Sequence, residues 1–239
     1  MKPKVKVSAQ LFCFHHAGGS SNYFTKWKRF LHASIEVIPI GLPGRQERFQ
    51  EPLITDFSAA MEGMTGIVVP RVRESFALVG HSMGALLAFE LARTLEQLGR
   101  PPCALFVSSC RAPGRSGENG SRKSQMTDSA LIQEIRAMNG TPESLLLNSE
   151  LMKLILPIIK ADFAVCDSYK FHPQPFSSFP IFAFGGLDDP DVNQEDIAAW
   201  GHLTSGGFQF RMFEGDHFFI HKECQLRQIC STIMNKFQS

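Results

Sequence analysis

Residues Phe76–Pro101 read FALVGHSMGALLAFELARTLEQLGRP. A short apolar run, Phe76 to Val79, leads into Gly80-His81-Ser82-Met83-Gly84, and Leu87, Leu91, Leu95 and Leu98 follow at spacings of four, four and three. The first part predicts a buried strand. The leucine stripe predicts a helix facing a sheet, ended by Gly99 and Pro101. Between them the chain must turn sharply and lift Ser82 out of the sheet, and glycine is expected at 80 and 84 because a Cβ at either place would collide with neighbouring backbone. As a bare pattern GxSxG fixes only three residues and also describes an ordinary glycine turn. Its position between a strand and a helix gives it meaning, because that is the context of a nucleophile elbow.

Five further apolar runs surround this unit: Leu11 to Phe14, Ile35 to Ile40, Ala104 to Val107, Ile181 to Phe184 and Phe208 to Phe213. Segments of helical length separate most of them. The alternation predicts a mostly parallel central sheet flanked by helices, and together with the serine turn it predicts an α/β chain of the α/β-hydrolase fold. In such sheets ligands bind beyond the carboxyl ends of the strands. Residues 111–125, RAPGRSGENGSRKSQ, lack periodicity and read as a mobile basic loop. Thr127 to Phe171 reads as helices, with Pro157 expected to kink or interrupt one of them. Together they form an insertion at about 111–171, expected to be a helical lid. Taken singly, its leucines and methionines read as extra core.

The 239 residues are expected to form one domain, 1–239, since 44% are hydrophobic, 20% are charged and 21 are Phe. With 24 Lys+Arg against 23 Asp+Glu the formal charge is +1, so no global field favours nucleic acid or an anionic membrane. The N-terminal apolar run is too short for a signal peptide, and no run approaches the roughly 18 residues of a membrane helix. The six cysteines form no CxxC pair and lie mostly in apolar runs, as reduced thiols do, so a cytoplasmic protein is expected. It is expected to be a monomer.

Serine is a poor nucleophile at neutral pH and needs a histidine held by a carboxylate. In this fold the order is serine, acid, histidine. FAFGGLDDPDV follows the fifth run and MFEGDHFFI the sixth. Among eight histidines His217 is the best placed, emerging at the same sheet edge as Ser82. Spacing alone does not separate Asp188 from Asp189. The GxxD arrangement from Gly186 and the stiffening Pro190 favour Asp189, leaving Asp188 and Asp191 as turn residues that bond their own backbone. His81 lies on the wrong side of the elbow to act as base. His32, His172 and His202 read as surface or capping residues. HFFIH at 217–221 lacks the glutamate of a zinc-protease motif, so no metal and no cofactor are expected. Two backbone amides must face the developing oxyanion, and those of Met83 and of Ala17, in the His15–Ser20 loop, are the candidates. A Gly-Gly turn there could equally do no more than reverse the chain.

HAGGS at 16–20, LPGRQER at 42–48, GHSMGALLAFELAR at 80–93, GGLDDPDV at 185–192 and HFFI at 217–220 together resemble the type II thioesterases of nonribosomal peptide and polyketide synthesis. The likeness runs along nearly the whole chain and extends to medium-chain acyl thioesterases. It implies hydrolysis of acyl groups from the phosphopantetheine arm of acyl or peptidyl carrier proteins, to clear stalled or wrongly loaded intermediates. It also implies Ser82, Asp189 and His217 as catalytic residues, with Ala17 and Met83 in the oxyanion hole. Two positions depart from the family: His15 stands where Pro is usual, and Asp216 where the second glycine of GGHF is usual. An apolar lid and a basic loop suit an acidic carrier domain presenting an acyl chain, while Arg45 and Arg48 are expected to be structural, pinning their loop through salt bridges. A general carboxylesterase, an acyltransferase and a non-catalytic docking module are the competing readings.

Overall fold

The structure, a computed structural model, describes residues 7–115 and 122–238. Six strands, β1 (Ala9–Phe14), β2 (Ile35–Ile40), β3 (Phe76–His81), β4 (Ala104–Ser108), β5 (Ile181–Gly186) and β6 (Phe208–Phe213), form one sheet in the order β2-β1-β3-β4-β5-β6. Every pairing is parallel. All six apolar runs are therefore strands, extended by a residue or two at some ends. β1, β3 and β4 are buried along their whole length, because a parallel sheet is covered on both faces, whereas edge strand β6 carries exposed residues.

Alternate side chains of β1 divide between two cores, as the two-residue period of a strand requires. Phe12 and Phe14 pack with the helices α1 (Phe57–Val68) and α2 (Met83–Gln97) and with Trp200. Leu11 and Cys13 pack on the other face with Trp27, Phe219 and Ile229, the last on the C-terminal helix α7 (Glu223–Gln238). A short helix, α6 (Gln194–Ala198), follows β5.

Leu87, Leu91 and Leu95 are buried at 0–1% exposure, as the stripe predicts, but Leu98 is 55% exposed. The helix ends before it: Gly99 takes φ +74°, Gly99 N–H donates to the Glu96 carbonyl and Arg100 N–H to that of Leu95. This left-handed cap turns the chain away and swings Leu98 outward.

Between β4 and β5 lie α3 (Asp128–Ala137), α4 (Glu143–Leu146) and α5 (Ser149–Ser168). They share an apolar cluster of their own, with Leu131, Ile135, Leu146, Met152, Leu156 and Ile159 buried. Thr127 caps α3 and Asn148 caps α5, so the apolar run through Leu145–Leu147 is broken at Asn148. Pro157 does not interrupt α5, which continues through it. Pro157 is exposed, so the Lys153 carbonyl that loses its intrahelical donor lies on the solvent side.

Of the expected mobile loop, residues 116–121 lie outside the described residues. Its described flanks are tied down. Arg111 and Arg115 pair with Asp196 at 3.2 and 3.3 Å, and Lys123 pairs with Asp191 at 2.6 Å and Glu134 at 2.5 Å. These basic side chains are matched within the protein.

Candidate active site

Ser82 follows β3 directly and occupies the N-cap of α2 with φ 55° and ψ −123°. A non-glycine residue held there is strained, and such strain is characteristic of functional turns. The flanking glycines are required by contact. A Cβ on Gly80 would overlap the Gly84 carbonyl, and one on Gly84 would overlap the carbonyl of Phe14 and meet that of His15. The second contact seats the start of α2 against the end of β1, next to the loop that contains Ala17. Met83 begins α2 and is 2% exposed.

The chain after β5 comes equally close to the chain after β6. A Cβ on Gly186 would overlap the Asp216 and Gly215 carbonyls, while Leu187 N–H donates to Phe213 O at 2.8 Å and Asp188 N–H to Gly215 O at 2.9 Å. These contacts bring Asp189 Oδ2 to 2.8 Å from His217 Nδ1, both side chains being almost fully buried. A carboxylate only accepts, so Nδ1 carries the proton and Nε2 of the neutral ring is left as a base. Burial alone would raise the pKa of Asp189; the hydrogen bond and charge of His217, with the Asp191 N–H, outweigh it and hold the carboxyl below its ordinary value.

Asp189 Oδ1 accepts from the N–H groups of Asp191 at 2.9 Å and Val192 at 3.3 Å. The backbone-bonding turn role expected of Asp191 thus belongs to Asp189, and Asp191 serves as the partner of Lys123. Asp188 is exposed. Asp216, the departure beside His217, accepts from Asn139 Nδ2 and from Phe218 N–H, both at 2.8 Å.

Several residues around His217 were not legible in the sequence. Ser109, at φ 46°, donates its hydroxyl to the His217 carbonyl at 2.9 Å. The rings of His81 and His217 lie 5.4 Å apart, His16 lies 5.7 Å from His81, and Tyr23 stacks on His81 at 6.0 Å and approaches His221 at 5.2 Å. Burial, reinforced by the neighbouring imidazoles, lowers His16 and His81 well below the usual histidine value, and burial lowers His221 to about 4. These rings are neutral at pH 7. His81 Nδ1 meets Ser108 Oγ at 2.8 Å, while His32, His172 and His202 are exposed as expected. Among the described residues no group of three or more His, Cys, Asp or Glu side chains could hold a metal ion.

The loop after β1 is anchored as well. Gly18, at φ +74°, donates its N–H to Asp162 Oδ2 of α5 at 2.7 Å, and Arg45 forms a two-pronged pair with the same carboxylate at 2.7 Å on each oxygen. Arg48 pairs with Glu51 and donates to the Gly41 carbonyl at 3.0 Å. Both arginines are structural, as the sequence suggested.

Two cavities border this region. An apolar one of about 220 Å³ lies between the β1 loop and α3–α5, with Ala17, Ile135, Leu146, Met152, Ile159 and Phe218 in its wall. A more open cleft of about 190 Å³ is bordered by Ser82, Met83, Cys110, Arg111, Lys123 and Cys166.

The model of the thioesterase domain family matches residues 9–237. The chain belongs to the thioesterase family. Thioesterase PikA5 of Streptomyces venezuelae is 36% identical to this thioesterase over 97% of this chain and 82% of its own length. A Brevibacillus parabrevis protein named linear gramicidin dehydrogenase LgrE is 37% identical over 100% of this chain and 92% of its own. That name speaks of a dehydrogenase, whereas the family match and the strand–serine–helix turn place this chain among thioesterases. The solved type II thioesterase BorB of the borrelidin biosynthetic cluster superposes with a TM-score of 0.88 at 34% identity, covering 99% of this chain and 95% of its own. The fold is thus that of the α/β hydrolases, and the thioesterase is a hydrolase acting on thioesters.

Proposed function

We propose that this thioesterase removes acyl groups from the phosphopantetheine arm of acyl or peptidyl carrier proteins, clearing stalled or wrongly loaded intermediates of nonribosomal peptide or polyketide synthesis. Ser82 is the nucleophile, His217 the base and Asp189 its partner. The observation that carries this reading is the 2.8 Å Asp189–His217 bond, placed beyond β5 and β6 at the same sheet edge as the strained turn after β3.

In this mechanism Ser82 Oγ attacks the thioester carbonyl while His217 Nε2 takes its proton. The carbonyl oxygen, now negative, is held by the amides of Ala17 and Met83, the latter at a helix N-terminus where the dipole favours negative charge. Collapse expels the thiolate of the arm, which receives the proton from His217. Water, deprotonated by His217, then attacks the acyl-serine, releasing the carboxylic acid and restoring Ser82. The neutral state of His16, His81 and His221 matters here, because a second positive charge near His217 would oppose its protonation in each transition state.

The α3–α5 helices act as a lid within one domain, and the apolar cavity beneath them takes the acyl chain. The names of BorB, from the borrelidin biosynthetic cluster, and of the gramicidin S biosynthesis protein GrsT support the biosynthetic setting. The six cysteines are free, which supports a reducing compartment such as the cytoplasm.

The test compares three substrates bearing one acyl group: a loaded carrier protein, the free acyl-pantetheine thioester and an oxygen ester. The carrier-bound thioester is expected to have the highest kcat/KM. Preference for the oxygen ester would contradict the proposal.

A further inference from the structure

Asp162 is a charged residue on the apolar face of α5, between Ile159 and Val165, and its side chain is 0% exposed. The chemistry proposed above makes no use of it. A carboxylate buried so completely persists only when its oxygens are matched. Arg45 Nη2 meets Oδ1, and Arg45 Nη1 and the Gly18 N–H both meet Oδ2, each at 2.7 Å. Arg45 also donates to the Gly19 carbonyl at 3.0 Å and to that of Pro43 at 3.3 Å. One carboxylate therefore ties the loop after β1 and the loop after β2 to α5.

The tie falls on a residue that cannot set its own conformation. Gly18 lies at φ +74°, where glycine is unconstrained, and Ile159, one turn before Asp162, sits so close that a Cβ on Gly18 would be 2.7 Å from its Cγ1. The loop is shaped from outside, by α5. Holding the peptide between Ala17 and Gly18 fixes one side of Ala17, whose own N–H is the proposed oxyanion donor. Stability alone does not demand an ion pair at this place, since buried pairs are commonly replaceable by apolar residues at little cost.

We propose that Asp162 is a positioning residue for thioester hydrolysis: from α5 it holds the Gly18 amide and thereby aims the Ala17 amide at the oxyanion. This rests on the serine-hydrolase reading of Ser82 and on Ala17 as donor.

Three variants of the full chain test it. Arg45→Leu/Asp162→Leu removes both charges and takes away the acceptor of Gly18. Arg45→Leu/Asp162→Asn removes both charges but keeps an oxygen for it. Asp162→Glu keeps the charge opposite Arg45 and displaces the carboxylate by one methylene. The double-leucine variant is expected to lose about 10²- to 10³-fold in kcat with KM within about threefold, the pattern of a lost transition-state donor. The asparagine pair is expected to recover at least about tenfold of that, and Asp162→Glu to lose about tenfold or more in kcat. Affinity for an acyl trifluoromethyl ketone, whose serine adduct carries an oxyanion, should fall in step with kcat/KM.

A folded double-leucine or Asp162→Glu variant with parental kcat, a loss confined to KM, or equal losses in the two double variants would each overturn the proposal. Fluorophosphonate labelling of the parent separates the levels. A parent labelled at Ser82 beside unaffected variants overturns the role of Asp162 alone; an unlabelled parent overturns the reading beneath it.

Discussion

Asp189 and His217 lie 28 residues apart in the chain and share a hydrogen bond of 2.8 Å between Oδ2 and Nδ1. Asp189→Asn keeps the shape but presents an amide that can donate to Nδ1, which moves the imidazole proton to Nε2 and removes the base. A fall in kcat on the order of 10²- to 10⁴-fold is expected, with the fold intact. Steady-state kinetics at pH 7–8 read this directly. A loss of less than about threefold would remove Asp189 from the mechanism.

Gly84 stands where a Cβ would overlap the carbonyl of Phe14. The obstacle is backbone, so neither partner can swing aside. Gly84→Ala is expected to destabilise the protein by about 1–3 kcal/mol or more through overpacking, read as a lowered urea midpoint with unchanged slope. A midpoint equal to that of the parent would show that β1 and α2 can separate without penalty.

Burial keeps His16, His81 and His221 neutral, each below the ordinary value of 6.5. The groups facing His221 include Lys26, which lowers it further, and Asp216, which raises it. Below about pH 6.5 the unfolded chain binds protons at these rings that the folded chain does not, so stability falls on acidification. The depressed Asp189 acts in the same direction at lower pH, its contribution being full above the ordinary carboxylate value and lost as pH falls from there through the lowered one. Melting temperature should therefore drop between pH 7 and pH 5, and His81→Gln, which carries no titrating ring, should flatten that slope. An unchanged slope would mean that His81 titrates alike in both states.

Ile135 lines the apolar cavity and is 7% exposed. Ile135→Phe is expected to shorten the space available to an acyl chain, lowering kcat/KM for long chains by about tenfold while sparing acetyl. A panel of chain lengths on one carrier protein, followed by intact mass, measures it. A uniform loss at all lengths would place the chain elsewhere.

The strands and the elbow were readable because their signals are local: six apolar runs, two glycines about a serine, and a leucine stripe ended by Gly99. The pairing of Asp189 with His217 was readable because the fold orders such residues along the chain. What stayed hidden depends on segments that only the tertiary structure joins. His16, His81 and His221 come from separate elements and meet around the ring of Tyr23, with no spacing to announce it. Asp162 did leave a trace, as a lone carboxylate on the apolar face of a helix, but its partners at Gly18 and Arg45 lie 144 and 117 residues away. Leu98 and Pro157 misled for a related reason. Periodicity does not register that a glycine cap ends the helix before Leu98, nor that an exposed proline can be carried through α5 on its solvent face.

The central claim is that Ser82 becomes acylated. Acyl-loaded carrier protein mixed with the thioesterase and quenched in acid within milliseconds should yield protein heavier by one acyl group, with the added mass on the peptide containing Ser82. Acyl mass on another residue, or undiminished turnover by Ser82→Ala, would contradict it.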